Sequence, residues 1–328
     1  MEIGYTLMTE QSGPIDLVRY AVAAEQAGFA FEVSSDHYFP WLDAQGHAPY
    51  AWSVLGAVAH ATERIELMTY VTCPTFRYHP VVVAQQAATM GLLSDNRFTL
   101  GLGSGENLNE HVVGLGWPSV KVRHEMLVEA LEIIGALLAG GYVTRLGRYY
   151  RVESAKLWDL PTQRVPIAVA VSGRQSCELF APLADHMIAV QPEAELGRMW
   201  DAAQPEGGPN RRIGQLPICF DADRETAISR AHEQFRWFGG GWKVNAELPG
   251  PAGFAAATQF VRPDDVAAHI SCGPDVAAHV AAVRPFAEAG FTDLALVQIG
   301  GAPLHQEPFF DYARDELLPA LRSEFGGD

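Results

Sequence analysis

The sequence predicts an α/β fold: a (β/α)8 TIM barrel with insertions at its C-terminal face, forming a single domain over residues 1–328. Three observations predict it. Short apolar runs alternate with helix-period stretches along the whole chain. Those runs supply eight strand candidates, the number that closes a parallel barrel. The 328 residues are 48% hydrophobic and only 19% charged, enough to bury one large core and to exclude disorder of the whole chain.

The elements follow in order. Ile3–Leu7 reads as the first strand. Asp16–Ala27 carries Leu17, Val18, Ala21, Val22 and Ala24 at helical spacing, with Gly28 placed for a left-handed cap. Phe29–Ser35 is the second strand, Trp52–Ala61 a helix, and Ile65–Val71 the third strand. Pro80–Leu93 is a helix whose proline falls in the first turn, where a missing N–H costs little. Phe98–Gly103 is the fourth strand, and Lys121–Leu138 a helix with Met126, Leu127, Leu131, Ile134 and Leu138 on one side. Tyr142–Leu157 reads as a β-rich excursion around Gly147. Then come strand Pro166–Val171, helix Gln175–Leu183, strand His186–Val190, strand Leu216–Asp221 and helix Arg224–Phe235. Gly239–Phe260 has Gly and Pro throughout and little period, and reads as a loop, a lid or a dimer contact. Helix Asp275–Ala289, strand Asp293–Ile299 and helix Pro308–Leu321 close the chain.

Lys plus Arg number 23 and Asp plus Glu 39, a net charge of −16. No basic patch exists to release counterions, so neither a nucleic acid nor an anionic membrane surface is expected as partner. The four cysteines, Cys73, Cys177, Cys219 and Cys272, show no C-x-x-C spacing and read as buried thiols. The start, MEIGYTLMTEQSG, has no basic, apolar leader pattern, and no run reaches the ~20 apolar residues of a membrane helix. A cytoplasmic protein is expected.

In a barrel of this kind, chemistry sits where the strands end. After the second strand comes SSDHYFPW. Asp36 and His37 are adjacent, so in extended chain they face opposite ways and hold separate roles. Trp41 follows as a candidate wall for a flat ligand, or as a packing residue. After the fourth strand, Gly101, Gly103 and Gly105 are spaced G-x-G-x-G, not as a dinucleotide fingerprint, and Glu106 directly after them repels a pyrophosphate. The glycines read instead as close backbone packing. Glu106 is a candidate general acid or a helix-start charge. Arg77 is a candidate anion receptor or a structural arginine, and Cys73 has no activating base nearby in sequence. No metal-ligand spacing is present, and no metal is expected.

Taken together, the stretches GYTLMTEQ, SSDHYFPW with QGHAPY, CPTFRYHP, VAQQAATMG, NRFTLGLGSGENLNEH and GWP resemble the bacterial luciferase-like flavin and deazaflavin oxidoreductases. Within them the chain is most similar to the group around deazaflavin-dependent glucose-6-phosphate dehydrogenase. The likeness is densest over residues 1–155 and continues more loosely beyond. It implies coenzyme F-420 (F420), a 5-deazaflavin exchanging hydride at C5, with FMN as the alternative cofactor. It implies a catalytic set of His37, Glu106 and Trp41. It assigns cofactor contacts to Asp36, Glu10, Gly105, Ser172 and Gly173, the last two beside Arg174, and to a cis peptide at Tyr70–Val71. A homodimer is implied as well. Two features depart from the sugar-phosphate enzymes. AVQPEAE stands where a lysine is expected after the sixth strand, and in AAHISCGPD only His269 stands near a later basic position. Buried phosphate dianions need Lys or Arg partners. The substrate expected is therefore a small alcohol, carbonyl or enone rather than glucose 6-phosphate. The competing readings are an FMN-dependent luciferase-like monooxygenase, a non-catalytic small-molecule-binding barrel and a metal hydrolase.

Overall fold

The computed structural model describes residues 1–205 and 210–326; residues 206–209 and 327–328 of the expected domain lie outside the described residues. Eight parallel strands close into a barrel. They are β1 (Glu2–Leu7), β2 (Phe31–Ser34), β3 (Glu66–Thr69), β4 (Phe98–Leu102), β5 (Ile167–Ala170), β6 (His186–Ile188), β7 (Arg212–Cys219) and β8 (Asp293–Gln298). Each pairs with the next in chain order. β8 returns to β1 with Ile3 opposite Leu294 and Gly4 opposite Ala295, and β6 meets β7 with Ile188 opposite Ile213. The eight strands expected from sequence are the eight of the barrel.

Helices cover the outside: α1 (Pro14–Ala27), α2 (Ala51–Ala61), α3 (Pro80–Leu93), α4 (Val120–Leu138), α5 (Arg174–Phe180), α6 (Ala194–Ala203), α7 (Arg224–Phe235), α8 (Val276–Glu288) and α9 (Pro303–Tyr312). α9 runs through a π turn into a last helix, Leu318–Phe325. Local chemistry sets the ends. Pro14 opens α1, and Gly28 closes it at φ 96°, its N–H bonded to the carbonyls of Ala24 and Glu25. Asp223 caps α7 by accepting from the Thr226 N–H at 2.9 Å.

Alternate strand residues face opposite ways. Phe31, Val33, Met68, Ala168, Ile188, Ile213 and Ala295 pack together as the barrel filling. Tyr5, Glu32 and Leu67 share the register that faces the helices. Glu32 is fully buried there with neither carboxylate oxygen hydrogen-bonded, and burial pushes its pKa well above the usual carboxylate range. The G-x-G-x-G run is a packing device. A Cβ on Gly101 would lie 1.9 Å from the Thr69 carbonyl oxygen, and one on Gly103 would lie 2.6 Å from Val71 Cγ2. The four cysteines are free and buried. Among the described residues, no helix is long and apolar enough to cross a membrane.

Four regions differ from the sequence expectation, one of them the closing helix, which starts at Pro303 rather than Pro308 and ends at Phe325 rather than Leu321. α6 was not expected, although Leu196 and Trp200 bury one face at i, i+4 spacing. β7 begins at Arg212 rather than Leu216, because its first half carries one apolar side chain, Ile213, among Arg212, Gly214 and Gln215: Arg212 pairs with Asp201, and Gly214 lies against the Phe286 ring. Residues 239–260 form no plain loop. Short helical turns span Arg236–Gly240, Trp242–Asn245 and Pro251–Ala257, each too brief to show a period. The β-rich excursion is an antiparallel hairpin, Val143–Leu146 with Arg151–Ala155.

Candidate active site

All eight strands contribute to one cleft, with a cavity volume of about 150 Å³. β1 supplies Thr6 and leads to Met8 and Glu10; β2 leads to Ser35, His37 and Trp41; β3 to Tyr70 and Val71; β4 to Glu106. Ala170, Ile188, Pro217 and Val297 bring apolar surface from β5 to β8. A separate stretch between β7 and β8 closes one side with Phe235, Trp237, Phe238, Trp242 and Asn245.

Glu10 is the hub of the β1–β2 side and is buried. Its Oε1 accepts from Trp41 Nε1 at 3.1 Å and lies 3.4 Å from His37 Nδ1. Its Oε2 accepts from the Ser35 hydroxyl and, at 3.2 Å, from the Thr9 hydroxyl. His37 Nδ1 also faces the Phe39 carbonyl oxygen at 3.1 Å. Both neighbours of Nδ1 are acceptors, so Nδ1 carries the proton of the neutral ring and Nε2 is the basic atom. The His37 ring lies 4.9 Å from the Trp41 ring.

Asp36 faces away, as its adjacency to His37 requires. Its carboxylate accepts from the Thr72 hydroxyl at 2.7 Å and the Tyr78 hydroxyl at 3.0 Å, with Arg77 Nη1 at 3.4 Å. Arg77 binds the Asp36 carbonyl through Nη2 at 2.7 Å and Glu110 Oε1 through Nε at 2.9 Å. Arg77 is thus a structural arginine. Burial alone would lower the Arg77 pKa, but Asp36 and Glu110 together outweigh it and raise it. Burial raises the Glu110 pKa, and Arg77 offsets this only in part. Burial, with Glu110 adding to it, also pushes the Cys73 thiol up, away from thiolate chemistry.

Glu106 caps the short helix Asn107–Glu110 by position, yet its side chain makes no cap bond and lines the cleft. Asn109 holds it. The amide nitrogen of Asn109 donates to Glu106 Oε2 at 3.3 Å, while its oxygen accepts from the Tyr38 and Phe39 N–H groups at 2.8 and 3.3 Å. One buried amide therefore ties the His37 loop to the Glu106 carboxylate. The Tyr70–Val71 peptide is cis, the geometry expected there. The Tyr70 hydroxyl is buried and has no hydrogen-bond partner, and burial raises its pKa.

The structure thus brings Glu10, His37, Trp41, Tyr70, Val71 and Glu106 to one cleft. Asp36, Gly105, Ser172 and Gly173 do not line it. Asp36 is spent on Arg77, Tyr78 and Thr72. Gly105, at φ +83°, packs against Cys73 and Glu110, where a Cβ would lie 2.5 Å from the Cys73 sulfur. The backbone N–H groups of Ser172 and Gly173 donate to the Ser176 hydroxyl at 3.1 and 3.2 Å. Sequence reasoning missed Asn109, Gln215 and the wall at residues 235–238; Trp242 and Asn245 fall in the stretch read as a loop, a lid or a dimer contact. The Asn109 signal was present, as an amide three residues after Glu106. The wall gave none, because its contacts are distant in sequence. Trp41 stacks on Trp237 at 4.1 Å and 8° and meets Phe254 edge-on at 5.1 Å. The stretch is fastened to the Glu106 helix and to α4: Asn107 N–H binds the Ala246 carbonyl at 2.9 Å, and Glu247 accepts from Trp117, just before α4, at 2.9 Å and from Arg123 at 3.1 Å.

A strand-end cleft with an imidazole and a carboxylate on a closed barrel defines a class, and comparison with known proteins identifies which. The chain matches the luciferase-like monooxygenase family over residues 1–293, and it belongs to that family. It is 36% identical to an F420-dependent glucose-6-phosphate dehydrogenase of Nakamurella multipartita, over 99% of this chain and 98% of the relative. It is 33% identical to the F420-dependent hydroxymycolic acid dehydrogenase of Mycobacterium tuberculosis, over 98% of this chain and 88% of the relative. A solved F420-dependent secondary alcohol dehydrogenase, in complex with an F420-acetone adduct, superposes with a TM-score of 0.88 at 26% identity. That match covers 98% of this chain and 99% of the other.

Proposed function

We propose that this chain is an F420-dependent oxidoreductase that interconverts an alcohol with its carbonyl compound, or reduces an enone, on a substrate without a phosphate group. One observation carries the reading: His37 and Glu106 line the same cleft, each held by its own buried partner. The residues suit a flat polar ring. Val71, Ala170, Ile188 and Val297 offer an apolar surface, and the orphaned Tyr70 hydroxyl offers a hydrogen bond to a ring heteroatom. The dehydrogenase names of relatives that span nearly the whole chain support the deazaflavin over FMN. Bound F420 would supply the hydride acceptor at C5.

The chain's own groups manage the protons. His37 Nε2 takes the proton of the alcohol hydroxyl as the C–H bond is broken. The Glu10 carboxylate, 3.4 Å from Nδ1, offsets the charge the imidazole then gains. Glu106 provides the second proton site. Among the described residues no Lys or Arg lines the cleft, which supports a substrate that is not a dianion. The expected homodimer has support in the exposed apolar face of α1, where Ile15 is 81% exposed beside Val18 and Val22; light scattering in solution tests it.

The deciding experiment is a side-by-side titration of the protein with F420 and with FMN, followed by heat or cofactor fluorescence. Tight F420 binding with weak FMN binding is expected. The reverse order overturns the deazaflavin reading and makes oxygen consumption the next assay.

A further inference from the structure

Most of the cleft wall opposite the strand ends comes from one stretch, and that stretch is aromatic. Phe235, Trp237, Phe238 and Trp242 line the cleft together. Trp237 is buried, and its ring nitrogen donates to the Gln234 carbonyl at 3.1 Å, so it offers the cleft ring surface and no hydrogen bond. Phe235 and Phe238 flank it at ring distances of 5.4 and 6.0 Å. Trp242 stands at 38% exposure, an indole kept partly in water where the fold gains little from it. The Trp41 ring joins this wall to His37: it lies 4.9 Å from the imidazole on one side and stacks on Trp237 on the other.

Among the described residues, the carboxylates that line the cleft are Glu10 and Glu106, with the His37 imidazole beside them and no Lys or Arg. The positions that departed from the sugar-phosphate pattern fall into place. Gln191 lines the cleft where a lysine was expected. His269 lies in a separate groove behind Phe235 and Phe238, its Nδ1 against the Asp265 carbonyl at 2.9 Å. Arg236 shares that groove and binds the Glu233 carbonyl at 2.8 Å. Neither side chain lines the cleft.

We infer that the substrate is an uncharged secondary alcohol, or its ketone, carrying an aromatic or alicyclic ring on the reacting carbon. The hydroxyl meets His37, and the ring packs on Trp237, Phe238 and Trp242. This rests on the oxidoreductase reading above and adds to it the class of substrate. A methyl group leaves the wall uncovered, whereas a six-membered ring removes apolar surface on both sides from water. An anion meets Glu10 and Glu106 without a compensating cation.

The test compares 1-phenylethanol, 2-propanol and glucose 6-phosphate as reductants of F420 on the wild-type protein and on Trp242→Ala. Saturation-transfer NMR of acetophenone with the cofactor-free protein gives a readout independent of turnover. The expected result is a kcat/KM on the order of 10²-fold higher for 1-phenylethanol than for 2-propanol, no turnover of glucose 6-phosphate, and saturation transfer to the acetophenone ring. Trp242→Ala narrows the preference about 10-fold, through KM rather than kcat. Turnover of glucose 6-phosphate, or equal kcat/KM for the two alcohols, overturns the substrate class while the oxidoreductase reading stands. Failure to bind F420 in the titration overturns the oxidoreductase reading, and this inference with it.

Discussion

Replacing Arg77 by Met removes the one cation from a buried cluster and leaves its carboxylates behind. Glu110 and Asp36 have side chains 0% and 1% exposed, and Arg77 itself is 8% exposed. Breaking a buried pair from one side costs about 3–5 kcal/mol, since the remaining charge has neither water nor an opposite charge beside it. That is about a fifth or more of the ~5–15 kcal/mol that stabilises an ordinary domain. At roughly 2.1 cal/mol/K per residue, it lowers Tm by about 4–7 °C for a chain this long. The cost depends on pH, with a definite sign. Glu110 already has a raised pKa from burial, and Arg77 opposes that rise. Without Arg77 the folded-state pKa climbs further above the unfolded value. Between those two values the folded state holds a proton that the unfolded state has released, so stability falls as pH rises. Urea unfolding of wild type and Arg77→Met at pH 5 and pH 8 reads this directly. The deficit is expected to be small at pH 5 and full at pH 8. Adding Glu110→Gln is expected to recover much of it. A deficit below about 1 kcal/mol at pH 8, or one of equal size at both pH values, would refute the reasoning.

Other substitutions test the remaining assignments. His37→Ala and Glu106→Gln are each expected to lower F420-dependent turnover by ~10²-fold or more with an unchanged circular dichroism spectrum; near-normal turnover in both removes them from the chemistry. Glu32→Met is expected to stabilise the protein by roughly 1–3 kcal/mol at pH 8 and little at pH 5, because the buried, unpartnered Glu32 must hold its proton in the folded state; a lower Tm at pH 8 contradicts this. Gly101→Ala is expected to cost about 1–3 kcal/mol, since its Cβ would sit 1.9 Å from a backbone oxygen. Gly56→Ala, in α2 with nothing within 4 Å of the new Cβ, is expected to stabilise by about 0.5–1 kcal/mol; chemical denaturation of the pair checks both signs.

The barrel was legible because each strand and most helices carry their period locally. Leu17, Ala21 and Ala24 declare a face for α1 within two turns, and Phe31 and Val33 alternate with Glu32 inside one strand. α6 escaped because Arg198 and Asp201 surround its two anchors, Leu196 and Trp200. Of the site, His37, Glu106 and Trp41 were legible from strand ends and motif, and Tyr70 and Val71 through the resemblance. The partners that fix them were not. The bonds from Glu10 to Trp41 and from Asn109 to Tyr38 span 31 and 71 residues, and no local pattern encodes such a meeting. The Trp41–Trp237 stack is the extreme case, since a tryptophan in a stretch without period looks alike whether it packs, waits for a ligand or faces water.

The interval between β7 and β8 has a consequence for how such a protein changes over generations. The two strands pair with each other over six residue positions, Asp293 to Gln298 against Ile213 to Ile218, whatever chain lies between them. Loop-closure entropy grows only with the logarithm of loop length, so lengthening or rewriting the stretch between α7 and α8 within that interval leaves the barrel and its covering helices almost undisturbed. The residues proposed to handle protons are rooted elsewhere, at the ends of β1, β2 and β4. One contiguous insertion can therefore be exchanged for another while acid, base and barrel are inherited intact, and a lineage reaches a new substrate by editing a single interval of its gene.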